Sequence, residues 1–276
     1  MTDPAAVLDR LLPGLASLHR EALLEAWAWI AASLEPAGIV AAGSIVRGEG
    51  QHGSDLDLVV LWRRAGRQRL QRRFAGVPAE IFANSNAWLR HSIRVESARG
   101  RPVMAHMLAT GVVLRDEDGA MAHLVAEAAQ VLRAGPALPD DERVRLRYLA
   151  ACAVEDALDL LPAADSDAVL VLRRAVDAML DYAFLSRDRH LPPPKRRLAE
   201  LRAVDTEAAV ALAAALDADP RSQSAVLSAA AQRILGADGF FPWESAHDRS
   251  DPPESESPAD RPGRGSGATV ARTQPE

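Results

Sequence analysis

The stretch Ala42-Gly43-Ser44-Ile45-Val46-Arg47-Gly48, followed shortly by Gly53-Ser54-Asp55-Leu56-Asp57-Leu58-Val59-Val60-Leu61, constrains this chain more than any other. Ile39 to Ala42 is apolar and reads as a short buried strand. Gly43-Ser44 then breaks it into a turn able to present backbone N–H groups to an anion at a helix N-terminus, and Ser44 adds a hydroxyl to that cradle. Asp55 and Asp57 are two residues apart, so on the next strand they share a face, with roughly 6.5–7 Å between their Cα atoms. The apolar run Leu58 to Trp62 makes them the start of a buried strand, where unpaired carboxylates are costly. Two such groups repel unless a cation sits between them. A hard divalent cation such as Mg²⁺ takes oxygen ligands and keeps open positions for substrate phosphates, which is what this pair offers.

Gly43, Ser44, Arg47, Gly48, Ser54, Asp55 and Asp57, at these offsets, resemble the DNA polymerase β-like nucleotidyltransferase superfamily. Its pattern runs strand, Gly-Ser, short helix and then Ser-Asp-x-Asp on the next strand. The resemblance implies an α/β (α+β) domain with a mixed sheet and a third carboxylate on a later strand. Val77-Pro78-Ala79-Glu80-Ile81-Phe82-Ala83 supplies one, with Glu80 in place of the more usual Asp and its carboxylate further out by a methylene. On that basis Asp55, Asp57 and Glu80 are the expected catalytic residues and the ligands of one or two Mg²⁺ ions. Gly43, Ser44 and Ser54 are expected at a nucleoside triphosphate, with ATP as the donor implied by the resemblance. Arg47 serves either a phosphate or a loop carboxylate.

Composition bounds the rest. The 276 residues are 48% hydrophobic and 25% charged, enough for one or two ordinary cores. The start, Met1-Thr2-Asp3-Pro4, has no basic leader, and no window approaches the roughly 20 apolar residues that span a bilayer, so no membrane partner is expected and the cytoplasm is the default location. The single cysteine, Cys152, excludes a disulfide framework and a thiolate metal site, and its Ala/Val surroundings suggest core packing. His52, in a Gly-rich turn beside the aspartates, does not make a zinc site alone. Trp27, Trp29, Trp62 and Trp88 are expected in the core.

The net charge of −6 is unevenly distributed. Residues 36–135 hold 13 Arg and 9 acidic residues, whereas residues 136–238 hold 13 basic and 17 acidic ones. A basic first half suits a nucleoside triphosphate; an acidic second half suits a neutral or cationic acceptor. The run Arg63 to Arg73 lies between expected strands without interleaved aromatics, and reads as a solvated connection rather than an RNA grip.

Along the chain, Leu23, Ala26, Trp27, Ile30 and Leu34 recur at helical spacing and Pro36 follows, so residues 1–35 form an N-terminal helical cap. Expected strands near 38–42, 55–62, 77–83 and 111–115 alternate with helices near 86–98, 102–109 and 119–134. This makes residues 36–135 the nucleotidyltransferase domain, closed by Gly135-Pro136. Helical stretches near 140–161, 166–188, 196–217 and 221–235 make residues 136–238 an α-helical bundle domain. Residues 239–276, rich in Pro, Ser, Asp, Arg and Gly from Trp243 onward, are expected to be a disordered tail.

The two-domain layout resembles kanamycin- and streptomycin-type adenylyltransferases, which bring a lysine from the helical domain to the nucleotide phosphates. Here the chain has 31 Arg and one lysine, Lys195, just after the break Leu191-Pro192-Pro193-Pro194. The same resemblance implies a general base from the helical domain, for which Glu155, Asp156 and Asp159 are candidates. The acceptor is an unidentified hydroxyl compound, a small molecule being favoured over protein or RNA. The competing reading is a nucleotide-binding regulator or antitoxin-like protein that acts on a protein or RNA partner.

Overall fold

Residues 36–42 and 56–62 carry apolar side chains toward both faces, so each strand can be buried only with a layer on either side. In a computed structural model describing residues 3–50, 53–163 and 165–244, they are neighbouring inner strands of a five-stranded mixed sheet. The strands are β1 (Pro36–Ala42), β2 (Leu56–Trp62), β3 (Arg67–Phe74), β4 (Val77–Asn84) and β5 (Val112–Asp116), in the order β3-β4-β2-β1-β5. β1 is antiparallel to β2 and β5, β3 is antiparallel to β4, and β2 runs parallel to β4. The parallel pair arises because the chain skips one position after β2, lays β3 at the edge, and returns through Ala75-Gly76 to insert β4. Both turn residues have positive φ, as primed hairpin turns require.

Helices α1 (Pro4–Leu11) and α2 (Ser17–Leu34) cover one face of the sheet. Leu23, Trp27 and Ile30 of α2 meet Leu58, Val60 and Ile81 there. The opposite face, with Val59 and Leu61, packs under α4 (Asn86–Ala98), α5 (Val103–Thr110) and α6 (Ala120–Ala134). A short helix α3 (Gly43–Val46) joins β1 to the loop before β2. A third apolar cluster lies among α7 (Asp140–Leu160), α8 (Ser166–Leu185), α9 (Arg197–Val204), α10 (Thr206–Asp217) and α11 (Gln223–Leu235). The halves thus have separate apolar clusters, yet both belong to one compact unit that extends to Trp243. No helix among the described residues is long and apolar enough to cross a membrane.

Several expectations need correction. The run read as a solvated connection contains the edge strand β3, and the single helix expected over 196–217 is two. Asp205 ends α9 and caps α10 by accepting from Ala208 N at 2.9 Å. Helix α1 was not expected, although Asp3 as cap and Pro4 at the first position are a helix start. Cys152 is half-buried rather than core. Phe241 and Trp243, assigned to the tail, lie along α7: Arg147 sits 4.2 Å over the Phe241 ring, and Trp243 is 4.7 Å from Tyr148. His52 lies outside the described residues.

The halves meet at glycines. Gly135 ends α6 at φ +78°, where a Cβ would collide with the backbone oxygen of Asp188, just after α8. Gly119, at φ +80°, has no atom within 4 Å of where a Cβ would be. Gly119, at ψ −2°, lies in the left-handed helical region, where an alanine costs about 1–2 kcal/mol, whereas Gly135, at ψ 178°, lies in a region open essentially only to glycine. Gly135→Ala is therefore expected to lower the unfolding free energy by clearly more than Gly119→Ala in chemical denaturation, the difference reporting the glycine-only backbone conformation and the close approach to Asp188 together. Equal losses would show that the backbone at Gly135 relaxes and the contact with Asp188 yields.

Candidate functional site

The carboxylates gather where β2 and β4 begin and β1 ends. Parallel pairing sets Asp57 beside Glu80, and the antiparallel register sets Ala42, the residue before Gly43, beside Asp57. Asp57, Val59 and Leu61 alternate on the face covered by α4 to α6, so Asp57 and Glu80 lie at one end of that face. Gly43 has φ +84°, and a Cβ on it would run into Asp57 Oδ2. Here the absence of a side chain lets the loop backbone lie against the carboxylate. Ser44 donates to Ser54 Oγ at 3.2 Å, closing the loop between them, and Glu49 N donates to Ser44 O at 2.9 Å.

Electrostatics single out Asp57. Burial, then the Asp55 charge, then that of Glu80, push its carboxyl up to about 6, only partly offset by Arg47 and Arg69. Asp55 is exposed beside it. Glu80 behaves differently: Arg69 donates to one oxygen at 2.6 Å and Gln71 to the other at 2.7 Å. The Arg69 hydrogen bond in particular holds its carboxyl below the usual range. Both donors come from β3, opposite Phe82 and Glu80 in the register. Among the described residues no group of three or more His, Cys, Asp or Glu is arranged to hold a metal ion. Asp55 and Asp57 fit a hard cation as oxygen donors that repel without one. Glu80 joins them only by loosening a hydrogen bond to β3.

The remaining expected residues divide. Arg47 pairs with the loop carboxylate Glu49 at 3.2 Å. Lys195 is exposed in the 3₁₀ turn Pro194–Arg196, on the wall of a cavity of about 570 Å³ that also takes in Val169, Leu172, Val176 and Leu198 of the helical half. Its neighbour Arg196 reaches Glu49 at 3.4 Å. Glu155, Asp156 and Asp159 are all exposed on α7, with Gly239 beside Glu155. Two residues close to the loop were not assigned to it from sequence: Arg196, next to the lone lysine, and His106 of α5, which reads from sequence as a packed or surface residue. Burial, then the charges of Arg47 and Arg196, lower the pKa of His106 and favour its neutral form. Spacing could not have found either, since their neighbours are distant in sequence.

No protein-family model matches this chain, and no curated protein matches it. Among solved structures it is similar to a nucleotidyltransferase-like protein from Exiguobacterium sibiricum 255-15, at 14% identity and a TM-score of 0.47, with 78% of this chain and 73% of that chain covered.

Burial and the neighbouring carboxylates push the Asp57 carboxyl up to about 6 in the folded protein, above its ordinary value of 3.8, so the folded state holds the extra proton between those values. Stability from this group is present at low pH and is lost as pH rises through about 6. Asp57→Asn removes the penalty. In EDTA it is expected to raise unfolding free energy above that pH by about 1–2 kcal/mol, after allowance for solvent screening at a half-buried site, with the gain vanishing towards about pH 4. A melting temperature series against pH checks this, and a loss of stability at neutral pH would contradict it.

Proposed function

We propose that this protein transfers a nucleoside monophosphate from a nucleoside triphosphate, with ATP as the preferred donor, to a hydroxyl acceptor. The observation that carries the proposal is the approach of Asp57 to Glu80 across the β2–β4 pair and to the Gly43 backbone, with its carboxyl raised by burial and by the charges of Asp55 and Glu80. Crowded carboxylates at a sheet end next to a tight glycine turn are poor packing but a good site for a cation that carries phosphates. Asp55 and Asp57 would hold Mg²⁺, with Glu80 as third ligand. When bound, Mg²⁺ supplies charge neutralisation at the triphosphate and polarises the phosphorus under attack.

The chain's own groups orient the donor. Gly43 lets the loop backbone approach, the Ser44 hydroxyl offers a hydrogen bond, and Arg47 and Arg196 flank the loop with positive charge now shared with Glu49. The acceptor oxygen forms a bond to the α-phosphorus as the bond from that phosphorus to the bridging oxygen breaks. Pyrophosphate leaves, and the hydroxyl proton is released. Arg196, rather than Lys195, is the cation we assign to the outer phosphates from the helical half.

A second reading, a regulator that binds nucleotide without turnover, draws on one observation: Glu80 already has its charge satisfied by Arg69. Incubation with ATP labelled at the α-phosphate, with cell extract as the acceptor source, separates the two. Transfer of label with release of pyrophosphate is expected, and it should fall by orders of magnitude in Asp55→Asn and Asp57→Asn, which keep size and polarity but remove charge. Glu80→Gln should lose transfer while keeping more of its nucleotide affinity. Binding of ATP without labelling of any component would favour the regulator; turnover retained in Asp57→Asn would remove the metal assignment.

The two cations of the 3₁₀ turn can be ranked directly. Arg196→Ala is expected to weaken ATP binding, measured calorimetrically with Mg²⁺, by about 1.5–3 kcal/mol, the usual scale for a hydrogen bond to a charged group, while Lys195→Ala stays near wild type. The reverse order would return the role to Lys195.

A further inference from the structure

The edge strand β3 is open along its outer side. All eight of its residues, Arg67 to Phe74, pair with β4 in one unbroken register, and β3 has no other backbone partner among the described residues. Sheet edges are commonly shortened, bulged, broken by proline or covered, since their free N–H and C=O groups attract other chains. β3 contains neither a bulge nor a proline, and six of its eight residues are exposed. It runs for roughly 25 Å at 3.2–3.4 Å per residue.

What guards this edge is charge. Of Arg67, Arg69, Arg72 and Arg73, only Arg69 is neutralised, by Glu80; the other three make no ion pair among the described residues. Side chains alternate along a strand, so Arg67, Arg69 and Arg73 share the face of Glu80, while Arg72 lies on the face of α2. Arg67 is 4.4 Å over the Trp88 ring, Arg72 is 4.1 Å over the Trp29 ring, and Arg73 donates to Gly76 O at 3.0 Å. These neutral partners hold each guanidinium without cancelling its charge. A single small anion cannot serve three arginines divided between two faces. A strand paired along the edge can, because its side chains alternate in the same way and each lies about 4.5–5.5 Å from the residue opposite.

An RNA strand matches this edge poorly. It has no regular row of donors for the free carbonyls, and the Trp29 and Trp88 rings, on which bases could stack, already have guanidinium groups over them. We propose that β3 docks an extended acidic segment of a partner protein, which joins the sheet as a sixth strand with carboxylates opposite Arg67, Arg72 and Arg73. Main-chain hydrogen bonds supply the affinity, and the spacing of the three charges supplies the selection. Opposite Leu70, half-buried against the α2 side, the segment presents an apolar residue. This docking does not rest on the transferase reading above.

The test titrates the full chain with a fluorescent eight-residue peptide of threonines that carries glutamates opposite Arg67, Arg72 and Arg73 and a valine opposite Leu70. Its reversed sequence is titrated beside it, because the added strand can run either way. At least one of the two should bind, and more weakly as salt rises. The same peptide with lysine in place of glutamate should not bind. N-methylation of alternate peptide nitrogens separates strand pairing from attraction of charge alone: one of the two alternate sets should abolish binding and the other should leave most of it. The Arg67→Gln/Arg73→Gln double variant should weaken binding about fivefold, on the usual scale of opposite-charge pairs across strands. Amide exchange followed by NMR should slow at alternate residues of β3 when the peptide is bound. Should the double variant fail to fold, the peptide series gives the answer without any change to the protein. Failure of both orientations to bind, equal binding of the two methylated sets, or tighter binding of a single-stranded RNA of the same charge overturns the proposal.

Discussion

Repulsion between carboxylates that the sheet itself brings together is the constraint around which the α/β half is arranged. Parallel pairing of β2 with β4 puts Asp57 beside Glu80, and the Asp-x-Asp spacing adds Asp55. The fold answers unequally. Glu80 is satisfied by Arg69 and Gln71, Asp55 is exposed, and Asp57 is left half-buried with its proton affinity raised. A sheet end shaped only for stability would not keep such a group, and the glycine at Gly43 shows that the loop is drawn in against it.

The helical half completes this arrangement through contacts that tolerate little change. Gly100 lies against Leu185 of α8 and its carbonyl accepts from Leu191 N at 2.8 Å; Gly135 lies against Asp188. Arg197, 7% exposed, pairs with Asp177 and Asp181, while Arg101 of the α/β half pairs with the same Asp181. A buried guanidinium with two carboxylates depends on each partner, since loss of one leaves charge without a counterpart. These contacts surround the break Leu191 to Pro194, from which Arg196 reaches Glu49.

The legible parts of the chain were those whose signal is local. The inner strands β1, β2 and β4 are runs of apolar residues, and the helices α4 to α8 carry periodicity over several turns, so the sheet and most helices could be read without coordinates. The edge strand β3 could not. Only Leu70 and Phe74 of its eight residues are apolar, because the rest face solvent, and a strand that buries so little leaves no alternation to detect. Asp55 and Asp57 stand in a compact motif and can be picked out as a pair from sequence; the pairing of Glu80 with Arg69 depends on the unread strand. Lys195 stands out in the sequence by its rarity, which carries no direction, whereas the ion pair of its neighbour Arg196 with Glu49 joins residues too distant in sequence to be read there. The tryptophans were half legible. Trp27 and Trp62 are core, whereas Trp29 and Trp88 serve as platforms for arginines that lie far away in the chain.

The position of β3 has a further consequence for the behaviour of the protein in solution. Only β4 pairs with it, so its outer backbone edge offers donors and acceptors to any extended chain that approaches. A second copy presenting the same edge would bring three arginines without an acidic partner against three, and that like-charge barrier opposes edge-to-edge joining of the sheets. The barrier is only as long-ranged as the ionic atmosphere allows, about 10 Å at moderate salt and far less in concentrated salt. The resistance of this edge to pairing with another chain is therefore tied to ionic strength through one strand and its arginines.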